Sequence, residues 1–144
     1  MIARLLAVIL LASACGPIMQ PPDSLRIVRE SAVSGNVFPP LDRTVAGRAA
    51  EDLWNELMAL PPKTADRFCA NDPGMRYRLS FNSSPSLKVL LEAGGCRYAY
   101  LTPTDVRETS EDFWAHLADA LGFYTRGHDL FPTPLPRESP TRAP

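Results

Sequence analysis

Histidine is almost missing from this chain, and so are lysine and net charge. Two His fall short of the three or four convergent ligands that a zinc site needs. The 15 basic and 16 acidic residues leave a formal charge of −1, and the basic ones are nearly all arginine. That gives no cationic excess to a binder that works by neutralising phosphates. Long apolar runs are lacking too. The longest, Leu5–Ala12, would rise only roughly 12 Å as a helix, less than half of a hydrocarbon core about 30 Å thick. A spanning helix is excluded. There is no Gly-rich phosphate loop, no Gly-x-Ser-x-Gly elbow and no Cys-x-x-Cys pair.

What remains is a globular composition. The 144 residues are 45% apolar and 22% charged, with 15 prolines in clusters, enough for one domain with chain to spare. The start of the chain carries an address. A short, singly charged Met1–Arg4 precedes the apolar Leu5–Ala12, then small Ser13 and Ala14, then Cys15. This order is that of a cleavable signal peptide, here residues 1–14. Ala12-Ser13-Ala14-Cys15 resembles the lipobox of bacterial lipoproteins, with Ala12 where that motif most often has Leu. The resemblance implies that Cys15 receives a diacylglyceryl group and becomes the first residue of a palmitate-type lipoprotein. Two or three acyl chains, at ~0.8 kcal/mol per buried methylene, hold a protein to a bilayer durably. The expected location is the cell membrane, on its extracytoplasmic face.

Residues 15–23 then read as a proline-rich tether, eight of them reaching roughly 25 Å when extended. Residues 132–144 read as a disordered proline-rich tail with almost nothing to bury. The body, 24–131, is a single domain.

Within it, Leu25–Val33 is a strand candidate whose alternation Arg29 and Ser31 interrupt. Ser34–Asp42 reads as loop. Thr44–Leu60 predicts a helix, because Val45, Ala49, Leu53, Leu57 and Leu60 recur on one stripe. Asp42 or Thr44 would cap it, and Pro61-Pro62 would end it. Met75, Tyr77, Leu79 and Phe81 alternate with Arg76, Arg78, Ser80 and Asn82, the period of a half-buried strand. Leu87–Ala93 alternates again, Gly94-Gly95 offers a tight turn, and Cys96–Leu101 returns as a third strand. Thr109, with Asp112 three positions on, opens a second helix that Gly122 closes. The order predicts an α+β domain: an antiparallel sheet of three to four strands with two helices packed on one face. The count is three if the Leu25 segment stays apart and four if it joins.

Once Cys15 is lipidated, Cys69 and Cys96 remain as an even pair. In a meander the start of the Met75 strand and Cys96 lie at one end of the sheet, so residues 69–75 can arch over the Gly94-Gly95 turn. Export supplies the oxidising compartment that a disulfide requires. A metal pair or reactive thiols would want neighbouring His or a closer Cys spacing.

The body also resembles a family of small secreted lipoproteins from actinobacteria with no assigned activity. The shared features are a helix ending in Leu60-Pro61, Cys69, the strand Tyr77-Arg78-Leu79-Ser80-Phe81, Gly95-Cys96, and a final helix with Phe113-Trp114. The resemblance implies an envelope lipoprotein and brings no catalytic residues or cofactor.

Chemistry is sparse. His116 lies beside an apolar helix stripe. His128 and Asp129 are sequence neighbours and cannot face a common nucleophile. Glu51, Asp52 and Glu56 mark a solvated helix face, and Asp66 and Asp72 flank Cys69. The sharpest constellation is a candidate binding patch of Arg76, Arg78, Lys88 and Arg97, expected on the uncovered sheet face with Leu90, Glu92, Ala99 and Leu101. Its partner would be an anionic envelope polymer or a protein. Exposed as read, Arg76 and Arg78 could be reversed to Glu at little cost in stability. The reading is a non-catalytic binding or interaction module; the alternative is a hydrolase of envelope or extracellular substrate. An enzyme would show a concave pocket with convergent polar groups, a module a broad exposed face.

Overall fold

A computed structural model describes residues 20–65, 68–69 and 72–136. The signal segment, Cys15, Asp66 and the last eight residues lie outside these. The chain forms β1 (Ser24–Ser31), β2 (Asp42–Ala46), α1 (Arg48–Ala59), β3 (Met75–Phe81), β4 (Leu87–Glu92), β5 (Tyr98–Tyr100), β6 (Val106–Glu108) and α2 (Glu111–Leu121), then one π-helical turn, Arg126–Leu130. All six strands join one antiparallel sheet in the order β2-β1-β3-β4-β5-β6. The class is the expected α+β, but the sheet has six strands rather than three to four. The Leu25 strand does join, and lies between β2 and β3.

Alternation builds the core. Leu25 and Ile27 of β1, Met75, Tyr77, Leu79 and Phe81 of β3, and Val89 and Leu91 of β4 are all buried on one face. Register sets Ile27 opposite Leu79 and Leu79 opposite Val89, so the apolar rows run straight across the strands. Leu53, Trp54 and Leu57 of α1 and Phe113, Trp114 and Leu117 of α2 close over them. Trp54 meets Phe81 edge-on with ring centroids 5.1 Å apart.

Arg29 has the inward parity that looked disruptive in the sequence. Its guanidinium donates to the Tyr77 hydroxyl at 3.0 and 2.9 Å, to the Pro39 carbonyl at 2.8 Å and to the Asp129 carbonyl. The Tyr77 hydroxyl donates to the Leu130 carbonyl. This network fastens the π-helical turn to the sheet, and burial pushes the Tyr77 phenol up from its ordinary value.

Helix α1 starts at Arg48, not Thr44. Gly47 precedes it at φ 63, and no side chain caps it. A positive φ suits a residue without Cβ, and it separates the strand carrying Val45 from the helix carrying Ala49. The helix ends where Leu60 turns extended before Pro61. Arg107 of β6 then donates to the Met58 and Leu60 carbonyls at 3.1 and 2.9 Å, supplying the C-terminal partners. At α2 the N-cap is Ser110, which accepts from the Phe113 N–H, one residue later than expected. Thr109 instead donates to the Arg97 carbonyl and accepts from the Trp114 indole at 2.8 Å.

The disulfide between Cys69 and Cys96 is present, with Cα atoms 5.2 Å apart. It ties the segment before β3 to the β4–β5 turn. A Cβ on Gly94 would come within 2.6 Å of Asp72 Oδ1 and Pro73 Cδ, so only glycine permits this close crossing. The first part of the tail is not free: Pro132 is buried, and the Leu135 N–H donates to the Val37 carbonyl at 2.7 Å.

Candidate interaction face

With both helices on one side, the other side of the sheet carries the even-numbered residues of β1 to β6. Register arranges them in rows. Val28, Arg78, Leu90, Tyr100 and Val106 cross the middle. Glu30, Arg76 and Glu92 run along one side of this row, Arg26, Ser80 and Lys88 along the other. Val28, Leu90, Tyr100 and Val106 are half-buried, an apolar belt with charged borders that Arg78 interrupts between Val28 and Leu90.

Apart from Lys88, the cations of this face are neutralised pair by pair. Arg26 meets Asp42 at 2.5 Å, Arg78 meets Glu30 at 2.9 Å, and Arg76 meets Glu92 at 3.6 Å. The hydrogen bond from Arg26 holds the Asp42 carboxyl below its usual range. The Tyr100 hydroxyl donates to Glu92 at 3.1 Å. Burial, and then the Glu92 carboxylate, push that phenol up to about 12. Lys88 is exposed and makes no ion pair among the described residues. Two buried side-chain polar atoms, Arg76 Nε and the Tyr98 hydroxyl, lack a partner among the described residues. Each such group costs about 1–3 kcal/mol.

Three of the four expected cations therefore share this face, and Arg97 does not. Arg97 N–H donates to Gly94 O within a turn that places Arg97 itself at φ 56. The turn consumes one residue more than a two-residue hairpin, and a one-residue slip exchanges the faces of everything after it. Arg97 thus points to the helix side, where it meets Glu111 at 2.5 Å and lies 4.5 Å over the Phe131 ring. Ala99 and Leu101 go inward with it, at 0% and 8% exposure. Tyr98 and Tyr100 take the outward places that those two were expected to hold.

This geometry changes what charge reversal should do. Arg76→Glu sets a carboxylate against Glu92, and Arg78→Glu sets one against Glu30. Arg76 is two-thirds buried and Arg78 half exposed, so solvent screens the second more. The double reversal is expected to cost about 1–2 kcal/mol and to lower the melting temperature by roughly 5–10 °C. Lys88→Glu, with no paired carboxylate to offend, should stay within about 0.5 kcal/mol of the parent. Thermal melts of both variants check the contrast.

A shallow groove of about 390 Å³ crosses the face beside Arg78, Lys88, Leu90, Tyr100 and Pro103. A second groove, about 680 Å³, lies between the helices on the far side of the molecule. There His116 Nδ1 sits 2.8 Å from Glu56 Oε2, and that contact raises the imidazole above its ordinary value. The other lining residues are Asp52, Asp119, Asn55 and small or aliphatic side chains; among the described residues none that lines the groove is a hydroxyl or thiol nucleophile. His128 Nδ1 lies 3.5 Å from Asp129 on an exposed turn. Among the described residues no three His, Cys, Asp or Glu are grouped to hold a metal, and no helix is long and apolar enough to cross a membrane. Protein-family models, curated proteins and solved structures offer no match to the chain.

Proposed function

We propose that this chain is a lipid-anchored interaction module of the cell envelope, non-catalytic, that presents its open sheet face to a partner protein. The observation that carries this reading is the placement of both helices on one side. The belt Val28, Leu90, Tyr100 and Val106 is half-buried and stands outside the packed core, on the side away from both helices. Such a belt, bordered by satisfied ion pairs, has the anatomy of a protein interface with an apolar centre and a polar rim. An anionic polymer is the weaker candidate, because Arg76 and Arg78 already face carboxylates.

Leu90 is the central residue of the belt and the test position. Leu90→Glu places a carboxylate beside Arg78 and Lys88, so the fold tolerates it, while the belt loses its apolar centre. Recovery of the partner from the producing cell is expected to fall about tenfold or more, the size of a central interface residue. Asn55→Glu, on the exposed side of α1, should leave recovery unchanged. Equal recovery with both variants would remove the open face from the account.

A further inference from the structure

The sheet ends differently at its two edges. Along β6 the outward backbone groups are occupied. Lys63 N–H donates to the Val106 carbonyl at 2.8 Å, and Glu108 N–H to the Pro61 carbonyl at 2.9 Å. Pro62 faces Arg107 between them, and proline has no donor to offer a further strand. That edge is closed. At β2, the bonds from Arg29 N–H to Leu41 O, 3.0 Å, and from Gly47 N–H to Asp23 O, 2.9 Å, fix which residues face β1. They are the odd-numbered ones, since bonding pairs recur every second residue. The N–H and C=O groups of Asp42, Thr44 and Ala46 therefore point away from the sheet, and no partner stands there among the described residues.

Edge strands are commonly guarded by charge. Here both charged side chains of the edge are turned back to their own molecule. Asp42 is held by Arg26 at 2.5 Å, and Arg43 donates to the Leu121 carbonyl at 2.6 Å. The edge that remains is small and uncharged, with Thr44 at its centre.

We infer that β2 pairs antiparallel with β2 of a second copy, about a two-fold axis at Thr44, joining two six-stranded sheets into one. The outward residues are symmetric about Thr44, so Asp42 stands opposite the second copy's Ala46 and Thr44 opposite its counterpart. About six N–H···O bonds close in this register. Like charges are not set opposite one another, whereas an axis at Asp42 would bring two carboxylates face to face. An axis at Ala46 would run the pairing into α1 and forfeit bonds. The axis stands normal to the joined sheet, so the two chains leave β1 at equal height on either side of it. Both open faces look the same way. The inference rests on backbone geometry at the edge and does not depend on which partner occupies the face.

The test uses the full-length protein, solubilised in mild detergent. Opposed residues of a bonded antiparallel pair have Cα atoms about 5.5 Å apart, inside the 4.4–6.8 Å reach of a disulfide. Thr44→Cys is expected to form a cross-linked dimer on mild oxidation, while Thr104→Cys, on an exposed turn, stays monomeric. The parent should scatter light as a dimer, and Thr44→Pro as a folded monomer with the parent's circular dichroism, because this N–H is not used within the chain; its melting temperature should fall only by what dimer formation adds. Should Thr44→Pro fail to fold, Thr44→Lys, which opposes two ammonium groups, takes its place and should also be monomeric. A monomeric parent would overturn the inference. Equal cross-linking from positions 44 and 104, or a dimeric Thr44→Lys, would do so too.

Discussion

Replacing Cys69 and Cys96 together by alanine is expected to lower the melting temperature by roughly 15 °C. The bond spans 27 residues of sequence, and closing a loop of that length removes about 3.5 kcal/mol of unfolded-chain entropy. A domain of this size has some 5–15 kcal/mol in all, so the loss is a large share. The bond also holds the crossing of the segment before β3 over the β4–β5 turn. The segment before β3 touches the β4–β5 turn through Asp72, Pro73 and Gly94, largely at exposed or half-buried positions. Burial of apolar surface cannot replace the tie there. The parent protein in excess reductant should melt close to the double variant. A drop of less than about 5 °C in both would show that packing, not loop closure, holds this end of the sheet.

Cys15→Ser is expected to move the protein out of the membrane fraction entirely, or to leave a larger, unprocessed precursor. Only the sulfur of Cys15 can take the diacylglyceryl group that the lipobox-like Ala12-Ser13-Ala14-Cys15 implies, and serine offers no thioether. Two or three chains at ~0.8 kcal/mol per methylene would account for durable anchoring of the parent, where one chain would be marginal. Fractionation with metabolic palmitate labelling reads both outcomes. Membrane-bound, labelled protein in the Cys15→Ser variant would contradict the anchor and return residues 1–14 to an ordinary secretory signal.

The meander and both helices were legible because each repeats one period over many residues. Tyr77, Leu79 and Phe81 alternate without a fault, and Leu53, Leu57 and Leu60 keep a helical stripe. Strand β2 was hidden by a coincidence of phase. Val45 falls on the stripe of Ala49 and Leu53, so the helix pattern reads straight back through it, and only the positive φ of Gly47 separates the two. Strand β6 has three half-buried residues and no alternation to betray it. It exists because its backbone pairs with β5 on one side and with Pro61 and Lys63 on the other, contacts that no local pattern announces. Of the four residues of the π-helical turn whose burial is described, Leu130 alone is buried.

The candidate face was half legible for related reasons. Arg76, Arg78 and Lys88 followed from strand alternation. Arg97 was misplaced because the turn before it is one residue longer than its two glycines suggest. Of the carboxylates on this face that pair with the patch, Glu92, against Arg76, was expected there, whereas Glu30, against Arg78, belongs to a strand whose register the sequence does not state. Its signal was nonetheless present: Glu30 has the outward parity of Arg26 and Val28, and an acidic residue there invites a cation across the ladder.

The claim that the open sheet face is the working surface is tested most directly by photo-cross-linking in the producing cell. A photoreactive side chain at position 90 sits in the centre of the apolar belt, and one at position 55 sits on the exposed side of α1. The account predicts a discrete adduct with a different protein from position 90 and none from position 55. No adduct from position 90, or the same adducts from both positions, would contradict it.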